Sequence, residues 1–209
     1  MKYFSKKNID ELDHLYKINL INSCSGFKSA NLIATKSKSG NENVAVFSSV
    51  THIGSNPPLL GFFCRPKTVT RDTYENIKNT GSYTINHIHE TIIEEAHHTS
   101  AKYNADISEF DVTTLASEYK DNCSAPFVKG APIQLQMKYI EEYKIQSNDT
   151  ILVIGEIQGL YINNSNILEK DGFINLSKAN VAAINGLDAY TIPALKKRLD
   201  YQRPKTLTQ

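Results

Sequence analysis

Two long segments in the second half of the chain alternate apolar and polar residues and constrain the fold most strongly. In PIQLQMKYIEEYKI, which starts at Pro132, apolar side chains occupy every second position from Ile133 to Tyr139. TILVIGEIQGLYI follows from Thr150, after the short polar turn at 147–149. A two-residue period places alternate side chains on opposite faces of a β-strand. The two segments therefore predict a long antiparallel hairpin.

Shorter runs earlier in the chain also resemble strands. They are rich in β-branched and aromatic residues or alternate in polarity, and each is bounded by turn residues. These runs are YKINLINSC (16–24), SANLIATKS (29–37), VAVFSSV (44–50), PPLLGFFC (57–64) and SYTINHI (82–88). Together with the hairpin they predict six or seven strands.

Two segments have helical features instead. The first, 70–79, has Thr70 as a plausible N-cap and Gly81 as a stop signal. The second, 91–103, begins with Thr91 and carries Glu94 three residues on, which is the spacing of a capping box. Both are short, so they predict helices inserted between strands.

The order of these elements favours one barrel domain over a parallel sheet, because the strands follow one another without regular helical crossovers. Residues 104–127 are irregular and predict a loop with one helical turn. We expect a single α+β domain over 1–209, with its core at about 15–190 and a tail at 191–209 that carries one short basic helix.

Composition excludes several classes of protein. The 209 residues carry 23 Lys and Arg against 22 Asp and Glu, a formal charge of +1, which gives no reason to expect a nucleic-acid or anionic-membrane partner. Three separated cysteines form no CxxC pair. No stretch approaches the apolar length of a membrane span, and the N-terminus lacks a signal-peptide core. We expect a cytoplasmic protein with reduced thiols.

The stretch RPKTVTRDTYEN (65–76) combines basic and hydroxyl side chains where a helix is predicted to begin. If Thr70 caps that helix, the free backbone N–H groups of Arg71, Asp72 and Thr73 lie at its positive end. This set of donors suits a phosphate monoester. The alternative is a capped surface helix with solvated charges.

A second polar stretch lies in ENVAVFSSVTHIGSNPPLL (42–60). Four hydroxyl groups, those of Ser48, Ser49, Thr51 and Ser55, lie between one predicted strand and the next. Side chains and amides there could hold the polar edge of a heterocycle or a phosphate. The alternative is a loop that uses Ser and Thr for turn chemistry.

The histidines do not form a recognisable metal motif. His87 and His89 lie on a predicted strand, and His97 and His98 follow two glutamates, but neither an HExxH nor a Cys/His spacing is present. We therefore predict no metal site. The sequence also lacks a Walker A motif, a GxGxxG fingerprint and a nucleophile elbow.

Taken together, these segments resemble a known family. NVAVFSSVTHIG, SNPPLLGFFCRP and TVTRDTYENI, followed by TGSYTIN, EEAHHTSAKY and SEFD, are similar to the flavin reductase-like family of FMN-binding split-barrel proteins. The resemblance covers roughly 27–190 and is most specific from Asn43 to Asn86. It implies a mainly β (α+β) fold, a six-stranded antiparallel Greek-key split barrel with short peripheral helices, and a homodimer with noncovalent FMN near the subunit interface.

The resemblance also implies roles for individual residues. Ser48, Ser49, Val50 and Thr51 would lie along the flavin and its ribityl chain. The tail and phosphate would be held by Arg65 and by the run Thr70, Arg71, Asp72 and Thr73. His97 would form a wall of the active site beside the flavin.

The implied activity is that of an FMN-dependent oxidoreductase, with hydride passing from NADH or NADPH to the flavin and electrons then leaving to a second flavin or another small acceptor. Two alternatives stay open. One is a noncatalytic FMN-binding electron carrier without its own nicotinamide site. The other is a barrel that has lost FMN and serves as a binding module, which the retained hydroxyl and basic residues at the phosphate site disfavour.

Overall fold

The computed structural model describes residues 1–66, 71–104 and 106–204. The strands of these residues are β1 (Lys28–Ser29), β2 (Asn31–Lys36), β3 (Glu42–Phe47), β4 (Thr51–Ser55), β5 (Pro58–Cys64), β6 (Ser82–His87), β7 (Ser117–Glu118), β8 (Phe127–Val128), β9 (Ile133–Lys144), β10 (Ile151–Ile162), β11 (Ala183–Asn185) and β12 (Ala189–Thr191). The α-helices are α1 (Lys6–Asp10), α2 (His14–Cys24), α3 (Asp72–Thr80), α4 (Ile93–His98) and α5 (Glu109–Val112). Short 3-10 turns lie at Glu90–Ile92 and Ser165–Ile167.

Seven of these strands form one antiparallel sheet in the order β3-β2-β6-β9-β10-β5-β4. The predicted long hairpin is β9 and β10. The expected antiparallel barrel is confirmed, with seven strands in place of six. The additional strand, β4, comes from residues that sequence analysis placed between strands.

The two edge strands of this sheet are neighbours in the sequence. β3 ends at Phe47 and β4 begins at Thr51, so only Ser48–Val50 connects one edge to the other. Such a link spans at most roughly 14 Å, whereas six strand spacings in a flat sheet amount to roughly 29 Å. The sheet must therefore curl until its edges approach each other, which makes it a barrel.

The sheet is buried on both faces along β2. Its residue Ile33 points into the barrel, where it packs with Phe62, Tyr83 and Met137. Leu32 and Ala34 point outward and belong to a second cluster, formed with Val44, Ile88, Ala96 of α4 and Ile184 of β11. This outer layer covers one side of the barrel and places α4 and the 3-stranded sheet β1-β11-β12 against it.

The N-terminal segment corrects one prediction. Residues 16–24 alternate in polarity but belong to helix α2. The Asp13 side chain caps this helix by accepting hydrogen bonds from the backbone N–H groups of Leu15 and Tyr16. The helix buries no residue, so local capping decides its structure and its alternation has no sheet to join.

Helix boundaries and the tail also differ from expectation. α3 begins at Asp72 with Arg71 as its N-cap residue, and the predicted cap Thr70 lies outside the described residues. α4 begins at Ile93, because Thr91 donates its backbone N–H to the His89 side chain in a preceding 3-10 turn. Within the described tail, up to residue 204, the expected basic helix is absent.

Among the described residues, no helix combines the length and apolar character needed to cross a bilayer.

Candidate functional site

The predicted phosphate segment lies at the start of α3. Arg71 is the N-cap residue in extended conformation, and its carbonyl oxygen accepts the first helical hydrogen bond, from the backbone N–H of Glu75. Among the described residues, no side chain caps the helix. The N–H groups of Asp72 and Thr73, at the first two positions of the helix, therefore have no carbonyl partner within the helix. The helix thus presents the backbone donors of Asp72 and Thr73 at its positive end.

The Arg71 side chain adds an unsatisfied donor to this end of the helix. Its Nε atom is buried and has no hydrogen-bond partner among the described residues. A buried guanidinium N–H without an acceptor is costly, so native structures supply a partner in nearly all cases. An anion at the α3 N-terminus would supply one, and the site is therefore chemically matched to a phosphate group.

Two other residues of this run have structural partners. The Thr73 hydroxyl is buried and accepts a hydrogen bond of 3.0 Å from Asn43 Nδ2 on β3. Asp72 lines a polar pocket of about 160 Å³ with Glu42 and Glu109. Since a carboxylate repels phosphate, Asp72 can contribute to an anion site only through its backbone N–H. Arg65, directly after β5, is exposed.

The Glu109 carboxylate links this pocket to β3 of the barrel. Its Oε2 atom accepts a hydrogen bond of 3.0 Å from the backbone N–H of Val44. Burial raises the pKa of Glu109, and the nearby Asp72 carboxylate adds to the rise. The pocket thus holds three acidic side chains on one flank of α3.

The second predicted segment, Ser48–Thr51, contains the link between the barrel edges. The Ser49 hydroxyl accepts from the backbone N–H of Phe63 at 3.0 Å and lies 3.4 Å from its carbonyl oxygen. The Val50 carbonyl accepts from the Ser29 hydroxyl at 2.8 Å. Val50 also packs against the barrel core, while Thr51 is exposed at the start of β4. The segment is thereby held in place by β5 on one side and β1 on the other.

His97 lies on α4, in the outer layer. Its Nδ1 is 3.2 Å from the Tyr190 hydroxyl, and the two rings meet edge to face with centroids 5.6 Å apart. Its role beside a flavin stays a prediction. In the described part of the chain, no group of three or more His, Cys, Asp or Glu side chains could hold a metal ion.

Sequence reasoning did not anticipate one pair of polar residues. Asn31 of β2 and His87 of β6 are directly paired in register, and each has a buried nitrogen without a hydrogen-bond partner among the described residues. The two positions are far apart in sequence. Only the strand register could have brought them together, and sequence gives no signal for that register.

Comparisons with known proteins agree with this architecture. A crystal structure from Shewanella frigidimarina NCIMB 400, of a proposed flavin reductase with a split barrel domain, is 45% identical; the match covers 97% of this chain and 100% of that one, with a TM-score of 0.93. Nitrilotriacetate monooxygenase component B from Bacillus cereus is 19% identical, with coverage of 95% and 98% and a TM-score of 0.82. The FMN-binding protein from Thermus thermophilus is 13% identical, with coverage of 85% and 93% and a TM-score of 0.71.

The fold is thus a split barrel. A family model also matches most of the chain, over residues 25–174, and describes a flavin reductase like domain. It spans β1 to β10, both candidate segments and α3. The chain belongs to the flavin reductase-like family.

Proposed function

We propose that this protein is an FMN-dependent oxidoreductase that accepts reducing equivalents from NADH or NADPH. The observation that carries the proposal is the α3 N-terminus, where the backbone N–H groups of Asp72 and Thr73 accompany Arg71, whose Nε has no hydrogen-bond partner among the described residues. Family membership makes a flavin phosphate the fitting anion. The FMN-binding protein from Thermus thermophilus, with the same fold, supports the same cofactor.

In this proposal the chain holds the cofactor at two points. The α3 N-terminus and Arg71 bind the phosphate dianion through charge-assisted hydrogen bonds. Ser48–Thr51 orients the ring, because its backbone is fixed by Ser29 and by β5. Bound FMN would supply the two-electron chemistry that links a reduced nicotinamide to a second acceptor.

An FMN titration followed by flavin fluorescence tests the phosphate assignment. Replacing Arg71 with Gln should weaken FMN binding by about 10- to 100-fold, as expected for loss of a hydrogen bond to a charged group. Riboflavin, which lacks the phosphate, should bind the wild-type protein and the Arg71→Gln variant with equal affinity. Arg203→Ala, at an exposed tail position, is the matched control. Equal FMN affinity in all three proteins would contradict the assignment.

Anaerobic addition of NADH or NADPH to the FMN-loaded protein tests the activity. Rapid bleaching of the flavin bands would support a reductase. Bands that persist would instead support the electron-carrier alternative. A protein that fails to retain FMN would contradict both.

We also propose that the protein forms a homodimer. The outer face of β4 and β5 exposes Ile53 (42%) and Phe63 (43%). Leu152 of β10 lies on the same face, beside Gly61. A second copy would bury this apolar patch in an isologous contact. The expected cytoplasmic location stays a prediction.

A further inference from the structure

The Glu142 carboxylate of β9 contacts two side chains of α3. The Tyr74 hydroxyl donates to this carboxylate and lies 2.8 and 3.0 Å from its two oxygens. Lys78 Nζ lies 3.3 Å from Glu142 Oε2 and donates to the Tyr139 hydroxyl at 2.6 Å. Since Tyr74 and Lys78 have i,i+4 spacing, they lie on the same face of the helix, one turn apart. β9 therefore holds α3 at two points along the helix.

A β-bulge brings Glu142 to the face of the sheet that meets α3. On a regular strand, residues three positions apart project from opposite faces, so Tyr139 and Glu142 would not share one. In the pairing of β9 with β10, Ile140 has no partner and is an extra residue on β9. Such an insertion shifts the alternation by one position and re-aims the side chains that follow. Tyr139 and Glu142 can therefore both reach Lys78.

Tyr74 and Lys78 keep these roles at neutral pH. Burial and the hydrogen bond to Glu142 raise the pKa of Tyr74 above its ordinary value, so its hydroxyl stays protonated and remains a donor. The hydrogen bond to Tyr139 and the Glu142 carboxylate raise the pKa of Lys78, so its ammonium group stays charged. Both contacts with Glu142 are therefore of the stronger, charge-assisted kind.

Two further side-chain hydrogen bonds join α3 to other strands. Thr73 accepts from Asn43 of β3, and Asn76 Nδ2 donates to Thr35 of β2 at 3.0 Å. The apolar side chains that α3 contributes to the barrel core pack without directional preference. The hydrogen bonds to β2, β3 and β9 therefore determine how the helix is rotated and tilted on the barrel. That orientation sets where the N–H groups at the start of α3 point.

Glu142 can be replaced without disturbing the barrel core. Its side chain is 27% exposed, and that of Lys78 is 34% exposed. The Tyr74 ring and Ile77 belong to the core cluster and would keep their packing in such a variant. The polar contacts of Glu142 can therefore be tested apart from the apolar contacts of the helix.

We propose that Glu142 is a positioning residue for the anion site at the start of α3. Through Tyr74 and Lys78 it fixes the direction in which the helix presents the N–H groups of Asp72 and Thr73. It thereby increases the preference for a ligand with a phosphate group over the same ligand without one. The inference rests on the proposed function, in which a phosphate binds at this end of the helix.

The sign of the effect distinguishes positioning from a direct charge effect. A carboxylate repels a phosphate, so removal of the Glu142 charge would by itself strengthen phosphate binding. Loss of a positioning contact instead weakens binding, because the N–H donors no longer point at the phosphate. Glu142→Ala removes the charge and the acceptor for Tyr74, whereas Glu142→Gln removes the charge and keeps an acceptor oxygen. The two variants therefore separate the two effects.

Fluorescence titrations with FMN and riboflavin measure the phosphate preference as the ratio of the two affinities. The ratio should fall roughly three- to tenfold in Glu142→Ala, as is typical of residues that act on a site without contacting its ligand. Glu142→Gln should recover most of this loss, and Tyr74→Phe, which removes the hydroxyl, should also lower the ratio. A general loss of stability would weaken the binding of both flavins and leave the ratio unchanged.

Glu141→Ala is the matched control, because it removes the same charge from the neighbouring, exposed position of β9. It should leave the ratio of the FMN and riboflavin affinities as it is in the wild-type protein. An unchanged or higher ratio in Glu142→Ala, or an equal fall in Glu141→Ala, would overturn the proposal.

A readout without flavin keeps the two proposals distinguishable. In ¹H–¹⁵N spectra of the ligand-free protein, the amide resonances of Asp72 and Thr73 should shift in Glu142→Ala and stay in place in Glu141→Ala. Inorganic phosphate should move the same resonances at lower concentrations in the wild-type protein than in Glu142→Ala. If these differences appear but FMN does not bind, the proposed function is contradicted and the role of Glu142 stands.

The opposite result separates the proposals in the other direction. If FMN binds, but Glu142→Ala leaves both the phosphate preference and the two amide resonances unchanged, the positioning role is overturned and the proposed function stands. Resonances that do not respond to inorganic phosphate, together with no binding of FMN, would overturn both.

Discussion

The hydroxyl of Ser49 lies 3.0 Å from the backbone nitrogen of Phe63 and 3.4 Å from its carbonyl oxygen. The link between the barrel edges is thus joined to β5 by a hydrogen bond to the Ser49 side chain, where neighbouring strands would use a backbone group. Ser49→Ala should lower the free energy of unfolding by about 1 kcal/mol, since it leaves the Phe63 N–H without this partner. Chemical denaturation measures the change, with Ser147→Ala in an exposed turn as the control. Equal destabilisation by both variants would contradict this role.

Gly155 is required by the close approach of Tyr83 inside the barrel. A Cβ atom at position 155 would lie 2.0 Å from the Tyr83 hydroxyl oxygen and 2.9 Å from Cζ. We expect Gly155→Ala to destabilise the fold by about 1–3 kcal/mol, as overpacking does. Thermal or chemical denaturation of the purified variant measures this.

The Tyr83 hydroxyl is itself buried without a hydrogen-bond partner among the described residues. Tyr83→Phe alone should therefore be neutral or stabilising. In the Gly155→Ala background, Tyr83→Phe should recover part of the lost stability, because it removes the closer of the two clashes. A double-mutant cycle gives the coupling, and strictly additive effects would contradict the contact.

His87 gives the fold a pH dependence. Its pKa is lowered to about 4 in the folded protein, against 6.5 for a free side chain. The unfolded chain therefore takes up a proton first, so stability is lost as pH falls from about 6.5 toward 4. The loss is on the order of 3 kcal/mol. Denaturation series at pH 7 and pH 5 should show a smaller pH effect in His87→Phe than in the wild-type protein.

The Arg198 side chain holds the C-terminal tail against the loop that contains Glu169 and Asp171. Its guanidinium pairs with Glu169 at 2.6 Å and with Asp171 at 2.5 Å, and it lies over the Phe173 ring. These groups are largely solvent-accessible, so Arg198→Ala should change global stability by less than about 1 kcal/mol. We expect instead faster hydrogen exchange at Leu195, whose N–H donates to Ser177. Unchanged exchange there would contradict the fastening role.

The apolar patch on β4 and β5 predicts the assembly state. Ile53→Glu combined with Phe63→Glu should convert a dimer into a monomer, because carboxylates of the same charge cannot pair with each other when they are buried there. Sedimentation velocity measures the mass. Leu199→Lys, at an exposed tail position, is the control. A wild-type protein that sediments as a monomer at all concentrations would contradict the dimer.

The sequence predicted those parts of the fold that have a local signal. The alternation from Ile133 to Tyr139 identified β9, and Gly81 marked the end of α3 with a positive φ of 72°. Local pattern failed for residues 16–24, where alternation occurs in a helix outside the sheet. It also missed β4, which contains Gly54 and becomes a strand only through its pairing with β5.

The candidate site, like the fold, could be predicted from the sequence only in part. The basic and hydroxyl residues near α3 could be identified from composition and helix-end chemistry alone. That the Asp72 carboxylate lines an acidic pocket, and that Thr73 is bonded to Asn43, depends on how α3 packs on β3. The Asn31–His87 pair depends on strand register, which no single segment encodes.

Because the link between Phe47 and Thr51 is short, the edge strands β3 and β4 of the barrel approach each other along one seam. The residues proposed to orient the flavin lie on that seam. A ligand bound there would hold the two edge strands together without any backbone hydrogen bond between them. Edge strands are otherwise open to pairing with other chains. Occupancy by a ligand at 100 times its dissociation constant would add roughly 2.7 kcal/mol to the folded state. Loading the cofactor would in that way also guard the newly made protein against aggregation.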